Sequence, residues 1–203
     1  HEDLQGVLDA VNAYDATTGR PLSESGVANN GDAIGHGTMV AGVVGAQANN
    51  GIGIAGASYN AKVLPIKVFD EEGRCTTADL IAAYDYLAGL IAAGSASNLK
   101  VVNLSLGYYA DALDEADSAL QKAIASLRDD YGVLTVCAAG NGLDSATGTD
   151  KLCLPSDFEE CLSVTALNES GAEAAFSNYN DAKDLSAYGE SILSTDKAGT
   201  YSE

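Results

Sequence analysis

The stretch that decides the fold is Gly35-His36-Gly37-Thr38-Met39-Val40-Ala41-Gly42, in which a histidine stands between two glycines and a small apolar run follows. The spacing predicts a helix from Thr38 to about Gln47, with side chains small enough for it to lie against a sheet. His36 is then expected in the loop just before that helix. Glycine on both sides lets the backbone turn sharply and lets another chain approach. An imidazole placed this way can transfer protons near neutral pH.

Taken alone, this stretch allows two other interpretations. His36 could be an ordinary loop residue that caps a helix, because a short motif is only a hypothesis. A phosphate-binding loop is the second, but the pattern G-x-G-x-x-G needs a glycine three residues after Gly37, where Val40 stands. The preceding Asn-Asn-Gly-Asp-Ala-Ile is a turn and not a strand, which also argues against a nucleotide site.

Two later stretches decide between these interpretations. Residues 101–107 form a buried-strand pattern that ends in small residues, and residues 133–142 form another that ends in an asparagine flanked by glycines. With H-G-T-x-x-A-G first, V-N-x-S-L-G second and A-A-G-N third, the chain resembles the subtilisin-like serine proteases. The resemblance continues through residues 61–69 and 162–166, so it covers nearly the whole sequence.

The resemblance assigns roles to six residues. It implies that His36 is the general base of a Ser-His-Asp triad, and that the Asn141 side chain donates to the oxyanion. Taken singly, Asn141 could also be a turn residue in a left-handed conformation. The residues implied to bind an extended peptide substrate by main-chain pairing are Ser105, Leu106, Gly107 and Gly140.

Two of the family's motifs do not occur in this sequence. The D-T/S-G motif of the triad aspartate is missing, and so is the G-T-S-M-A motif of the nucleophile. Asp3 matches a different family position, which is associated with calcium. We therefore expect a serine endopeptidase domain, truncated at both ends, of which this chain alone is inactive. The alternative is a non-catalytic subtilase-like binding module.

Continuous apolar strands alternate with helices along the chain, which is typical of a mainly parallel sheet covered on both faces. The patterns predict one domain over residues 1–203. By resemblance this is a three-layer α/β, subtilisin-like fold without the first family strand. The loop Asp15–Asp32 is expected on the surface. Predicted helices lie at 38–47, 77–93 and 112–128, and predicted strands at 4–14, 62–69, 101–106, 132–138, 161–167 and 191–195.

In the family, the absent strand lies between those that correspond to 62–69 and 101–106. Its absence would leave two rows of backbone donors and acceptors without partners, and each unpaired buried group costs about 1–3 kcal/mol. We therefore expect these strands to close on each other, to admit another segment, or to self-associate with a second copy through their exposed edges.

Composition limits the partners of the chain. It has 203 residues and a formal net charge of −19, which excludes the basic footprint of a nucleic-acid-binding protein. No run of about 18 apolar residues is present, so no membrane span is expected. The resemblance implies a peptide or protein substrate as the partner. The chain begins at His1 without a methionine and is expected to be a processed piece of a secreted or cell-surface protein.

The four cysteines, at 75, 137, 153 and 161, include no C-x-x-C, and the chain has only two histidines. A zinc site is therefore not expected, and no cofactor is required. Cys137 is expected to be a small buried apolar residue, whereas Cys153 and Cys161 could form a disulfide. By resemblance, a structural calcium ion is possible near Asp3 and Asn50.

Overall fold

A computed structural model describes residues 1–24 and 32–203 of the chain. Residues 25–31, part of the loop expected at Asp15–Asp32, lie outside the described residues. The chain divides into two compact units, which we call the histidine unit and the sheet unit. The histidine unit comprises His1–Ala83 with Ile192–Glu203, and the sheet unit comprises Tyr84–Ser191.

The elements are short in the histidine unit and longer in the sheet unit. The helices are α1 (His36–Gly45), α2 (Thr77–Ala92) and α3 (Glu115–Tyr131), with 3₁₀ turns at Glu2–Leu4 and Leu22–Glu24. The strands are β1 (Tyr14–Asp15), β2 (Arg20–Pro21), β3 (Ile66–Lys67), β4 (Val101–Leu104), β5 (Tyr108–Tyr109), β6 (Leu134–Ala138), β7 (Cys153–Leu154), β8 (Cys161–Leu167), β9 (Leu185–Tyr188), β10 (Ser194–Thr195) and β11 (Tyr201–Ser202).

The sheet unit contains a four-stranded parallel sheet in the order β4-β6-β8-β9. Alternate residues of β6 and β8 point to one buried face, where Thr135 and Cys137 are almost completely inaccessible. The predicted parallel sheet is confirmed here, with strands slightly shorter than the apolar runs. A separate antiparallel pair joins β5 to β7.

Local sequence explains where α3 begins and ends. Asp114 accepts a hydrogen bond from the backbone N–H of Asp117, whose side chain accepts one from the Asp114 backbone in return, forming a capping box. Gly132 ends the helix at φ 67°, a conformation that glycine adopts at little cost. The buried stripe Leu120, Ile124 and Leu127 has the spacing of one helical face.

The histidine unit holds the three-stranded sheet β2-β1-β3, in which β1 pairs with β3 in parallel. Pro65 lacks a donor, and the strand expected over 62–69 is reduced to Ile66–Lys67 with a partner on one side only, as predicted. Of the short strand expected within Leu4–Tyr14, the structure has a single parallel bridge from Leu8 to Val63 and the first residue of β1, Tyr14. Leu4 itself ends the 3₁₀ turn Glu2–Leu4, in which Asp3 and Leu4 are buried.

The two strands on either side of the expected gap, β3 and β4, are edge strands of separate sheets. Within its own unit, each of these strands has a described partner strand along one edge only. Val101 of β4 is 51 % exposed accordingly. The last predicted strand, near Ser191–Thr195, is present as β10, which pairs with β11 in an antiparallel hairpin. Self-association through the open edges remains a prediction.

Candidate active site

His36 is the first residue of α1, not part of a preceding loop as the sequence predicted. Gly35 makes this start possible because it adopts φ 96°. Asp32 holds the turn: one carboxylate oxygen accepts from Gly35 N at 2.8 Å, and the other accepts from Thr38 N at 2.7 Å. The Thr38 hydroxyl donates to the same second oxygen. The exposed imidazole of His36 thus stands on a rigid, capped helix terminus.

The side of α1 is fixed by two hydroxyls from β10. Ser194 Oγ donates to Met39 O at 2.6 Å, and Thr195 Oγ1 donates to Thr38 O at 2.8 Å. Gly42 allows this approach, since a Cβ there would lie 2.3 Å from Thr195 Oγ1. The small-residue face of the helix therefore seats a strand, as the sequence led us to expect.

Asn141 lies in the loop after β6, between two glycines with positive φ, Gly140 at 103° and Gly142 at 73°. It is exposed, and its carboxamide makes no hydrogen bond to any described residue. The loop is tied down from beneath by Asn178, which is completely buried. Asn178 Oδ1 accepts from Gly142 N at 2.9 Å, and the Asn178 backbone N–H donates to Gly140 O at 2.9 Å. The Asn141 side chain is left free to donate to a ligand.

Ser105, Leu106 and Gly107 follow β4 and lead directly into β5. Ser105 Oγ accepts from Asn103 Nδ2 at 2.9 Å, and Gly107 is exposed. A Cβ at Gly107 would lie 3.2 Å from Cys153 Sγ, and a Cβ at Gly140 would lie 3.0 Å from the same sulfur. Cys153 thus packs against both glycines. The structure brings the predicted substrate segment and the Asn141 loop together in the sheet unit, whereas His36 belongs to the histidine unit.

Cys153 owes its position to a buried ion pair. Its backbone N–H donates to Asp157 Oδ2 at 2.9 Å, and the other oxygen of that carboxylate is bridged to the Lys183 ammonium. Both charged side chains are almost fully buried. Burial raises the pKa of the Cys153 thiol, although the Lys183 charge counteracts this.

All four cysteines are free, so no disulfide joins Cys153 to Cys161. Cys161 lies in β8 and Cys137 in the paired strand β6. The neighbouring Cys161 thiol, together with burial, raises the pKa of Cys137 above its ordinary range. Cys137 is 1 % exposed, which confirms that it serves as a small buried residue.

The Asp3 carboxylate is completely buried and accepts three hydrogen bonds. Asn50 Nδ2 donates at 2.6 Å, Ile54 N at 2.9 Å and the Tyr201 hydroxyl at 3.2 Å. Proton donors therefore surround the oxygens that a cation would contact, and among the described residues no three His, Cys, Asp or Glu side chains form a metal-binding group. Calcium fits only if the Asn50 carboxamide turns its oxygen toward Asp3, which would break the bond that Oδ1 accepts from Ile52 N.

Sequence reasoning missed two residues that shape the site, Asp32 and Asn178. Asp32 lies six residues before the predicted helix start at Thr38, so the usual helix-start signal, which concerns the residue directly before a helix, does not mark it. No local pattern marks Asn178, because its partners lie 29 to 69 positions away in the chain. Its role is apparent only in three dimensions.

A scan of the described residues for membrane spans finds no helix with both the length and the apolar character that crossing a bilayer requires.

Comparison with known proteins gives a consistent result. The family model "Subtilase family" matches residues 1–203. The chain is 35% identical over 170 residues to an extracellular protease of Xanthomonas campestris pv. campestris, covering 81% of this chain and 27% of that protein. It is 35% identical over 196 residues to the major intracellular serine protease of Bacillus subtilis, covering 96% of this chain and 56% of that protein. The chain thus spans well under two thirds of the curated relatives it matches.

Solved structures agree with the sequence comparison. A cold-adapted subtilisin-like serine proteinase matches with a TM-score of 0.74 and 28% identity, covering 99% of this chain and 62% of that chain. This confirms the predicted α/β, subtilisin-like fold class. Because the family model matches the chain from its first residue to its last, the protein belongs to the subtilase family of serine proteases.

Proposed function

We propose that this chain forms the greater part of a subtilisin-like serine endopeptidase site that hydrolyses peptide bonds in extended substrates. The observation that carries the proposal is the free carboxamide of Asn141, held outward on a loop whose backbone is locked from below. In this role Asn141 donates to the oxyanion that develops as the scissile carbonyl is attacked. His36 takes the proton of the nucleophile and later gives it to the leaving amine.

Substrate binding is assigned to the segment Ser105–Gly107 and to Gly140. An extended peptide would pair with the main chain of the segment, which gives affinity with little dependence on substrate sequence. Gly107 has no side chain to obstruct it, and Cys153 fills the space behind both glycines. A peptide or protein is therefore the proposed partner of this face.

Acyl transfer by this mechanism also requires a serine nucleophile and an aspartate that orients the histidine. Neither of the family's motifs for these residues occurs in the 203-residue sequence. We accordingly predict that the chain alone hydrolyses neither casein nor peptide esters, and that a fluorophosphonate does not label it. Stoichiometric labelling of any serine would contradict this part of the proposal.

A chimera tests the positive part. Residues 1–203 replace the matching segment of the Bacillus subtilis major intracellular serine protease, so that the rest of that protease provides the triad serine and aspartate that the family resemblance implies. We expect a folded chimera to hydrolyse a peptide ester. Asn141→Ala in this chimera should lower kcat about 10²–10³-fold, which is the cost of losing the corresponding donor in subtilisin. His36→Gln should abolish turnover. The matched control is His1→Gln, which removes the only other histidine.

Two results would overturn the proposal. The first is a chimera that shows native circular dichroism and melts cooperatively but cannot be labelled by a fluorophosphonate. That result would favour the alternative of a non-catalytic binding module. The second is full activity in the Asn141→Ala chimera, because the oxyanion donor would then lie elsewhere.

Three further expectations belong to the same proposal. Secretion or cell-surface display is supported by relatives named as extracellular, while others are named as intracellular.

Self-association through the open edge of β4 is tested by light scattering of the chain. Calcium near Asp3 is tested by calorimetry, where binding that Asp3→Ala abolishes supports the site and absence of heat rejects it.

A further inference from the structure

Asn178 uses the complete hydrogen-bonding capacity of its carboxamide. Oδ1 accepts from Gly142 N at 2.9 Å and from Thr149 N at 3.2 Å. Nδ2 donates to the Tyr109 hydroxyl at 2.9 Å and to Ala139 O at 3.0 Å. A buried amide with all four bonds satisfied is a rigid anchor, since losing any one leaves a polar group unpaired.

The partners of Asn178 enclose the turn that carries Asn141. Ala139 precedes the turn, Gly142 ends it, and the Asn178 backbone N–H donates to the carbonyl of Gly140 within it. Asn141 is the one residue of this turn that Asn178 does not bind. The clamp therefore fixes the backbone on both sides of Asn141 while leaving its side chain to the solvent.

Gly140 has no side chain because Asn178 occupies that space. A Cβ at Gly140 would lie 2.3 Å from Asn178 Nδ2 and 3.1 Å from the Tyr109 hydroxyl. Ordinary contacts between carbon and other heavy atoms are about 3.5–4.0 Å. The glycine, the buried amide and the tyrosine thus form one interlocked unit.

Tyr109 connects this unit to the proposed substrate segment. It lies in β5, which begins directly after Gly107, and it pairs in register with Cys153 of β7. The bond from Asn178 to Tyr109 therefore ties the Asn141 loop to the strand that follows Ser105–Gly107. Any movement of the Asn141 loop relative to β5 would have to break this hydrogen bond.

We propose that Asn178, together with Tyr109, is the positioning residue of the oxyanion site, and that its buried carboxamide sets the turn that presents the Asn141 amide to substrate. This assignment rests on the proposed function, since it gives Asn141 an oxyanion to serve. Asn178 itself touches no substrate. Its contribution is preorganisation: donors fixed in advance need no rearrangement when charge develops in the transition state.

Amide hydrogen exchange on the 203-residue chain tests the clamp without any need for activity. In Asn178→Ala we expect the Gly142 and Thr149 amides to exchange at least tenfold faster, while the amides of β6 and β8 are unchanged. The matched control is Asn168→Ala, because Asn168 Oδ1 also accepts from two backbone amides of its own loop, at 3.0 and 3.1 Å.

The control variant should accelerate exchange at Ser170 and Ala172 and leave Gly142 unaffected. Unchanged protection of Gly142 in Asn178→Ala would overturn the clamp. Uniform acceleration across the sheet unit would overturn it too, since Asn178 would then stabilise the fold generally and not the loop.

Kinetics of the chimera test the link to catalysis. Because an oxyanion bond is made only in the transition state, we expect Asn178→Ala to lower kcat by 10- to 100-fold with KM changed less than about twofold. Tyr109→Phe should lower kcat a few-fold, and Asn168→Ala should change neither constant. Unchanged kcat in Asn178→Ala would refute the positioning role. An inactive parent chimera would refute the proposed function, and the exchange experiment would still decide the clamp.

Discussion

Replacing Gly42 by alanine tests how closely α1 is seated on β10. The new Cβ would lie 2.3 Å from Thr195 Oγ1, 2.5 Å from Ser194 Oγ and 3.0 Å from Thr195 N. The hydroxyls could rotate away, but each would then lose its bond to a helix carbonyl, worth about 0.5–1.5 kcal/mol. The backbone nitrogen can only move with its strand, and overpacking of this kind costs about 1–3 kcal/mol. In the other direction, alanine in place of glycine stabilises a helix by about 1 kcal/mol. We expect a net destabilisation of roughly 3 kcal/mol.

The matched control is the same substitution at Gly89, an exposed interior position of α2 with nothing within 4 Å of its would-be Cβ. There only helix propensity acts, so Gly89→Ala should stabilise by about 0.5–1 kcal/mol. Thermal and urea unfolding followed by circular dichroism measures both. Removing the two hydroxyls with Ser194→Ala and Thr195→Ala should reduce the cost of Gly42→Ala. A Gly42→Ala chain as stable as Gly89→Ala would refute the close seating.

Three further predictions follow from local environments. Burial, with smaller contributions from the Asp79 and Asp70 carboxylates, raises the pKa of Cys75 to about 12. At mildly alkaline pH, iodoacetamide should therefore alkylate Cys75 about a thousandfold more slowly than a free cysteine, and rapid alkylation of the native protein would contradict this. Asp114→Ala removes the N-cap of α3 and should cost about 1 kcal/mol in thermal unfolding. Backbone hydrogen bonds from Ala146 and then Thr147 lower the pKa of Asp144 in the folded chain. The ionised Asp144 therefore stabilises the fold above its unfolded-state pKa of 3.8, and this stabilisation is lost as pH falls through the lower folded-state pKa. Asp144→Asn should make the free energy of unfolding depend less on pH in the acid range.

Sequence reasoning located the elements that local pattern determines. The parallel strands β4, β6 and β8 and the helices α2 and α3 were predicted because their periodicity and length are properties of contiguous residues. The roles of His36 and Asn141 stay predictions from the family motifs, and the structure places a glycine with positive φ directly before each of them.

The missed features depend on residues distant in sequence. The turn Glu2–Leu4 forms around a carboxylate whose donors lie about fifty and two hundred positions away, so no local window predicts it. Asn178 is an unremarkable polar residue until its four partners are in place.

The hydroxyls that brace α1 come from residues 155 and 157 positions further along the chain. A ribosome delivers a protein from its N-terminus at about 5–20 residues per second, and contacts of such long sequence separation form late. The helix that carries His36 is made early but waits roughly 8–30 s at that rate for Ser194 and Thr195. During that interval the two hydroxyls that hold α1 in place are not yet available to it. The contacts that fix the helix carrying His36 can therefore form only after the strands of the parallel sheet have been synthesised.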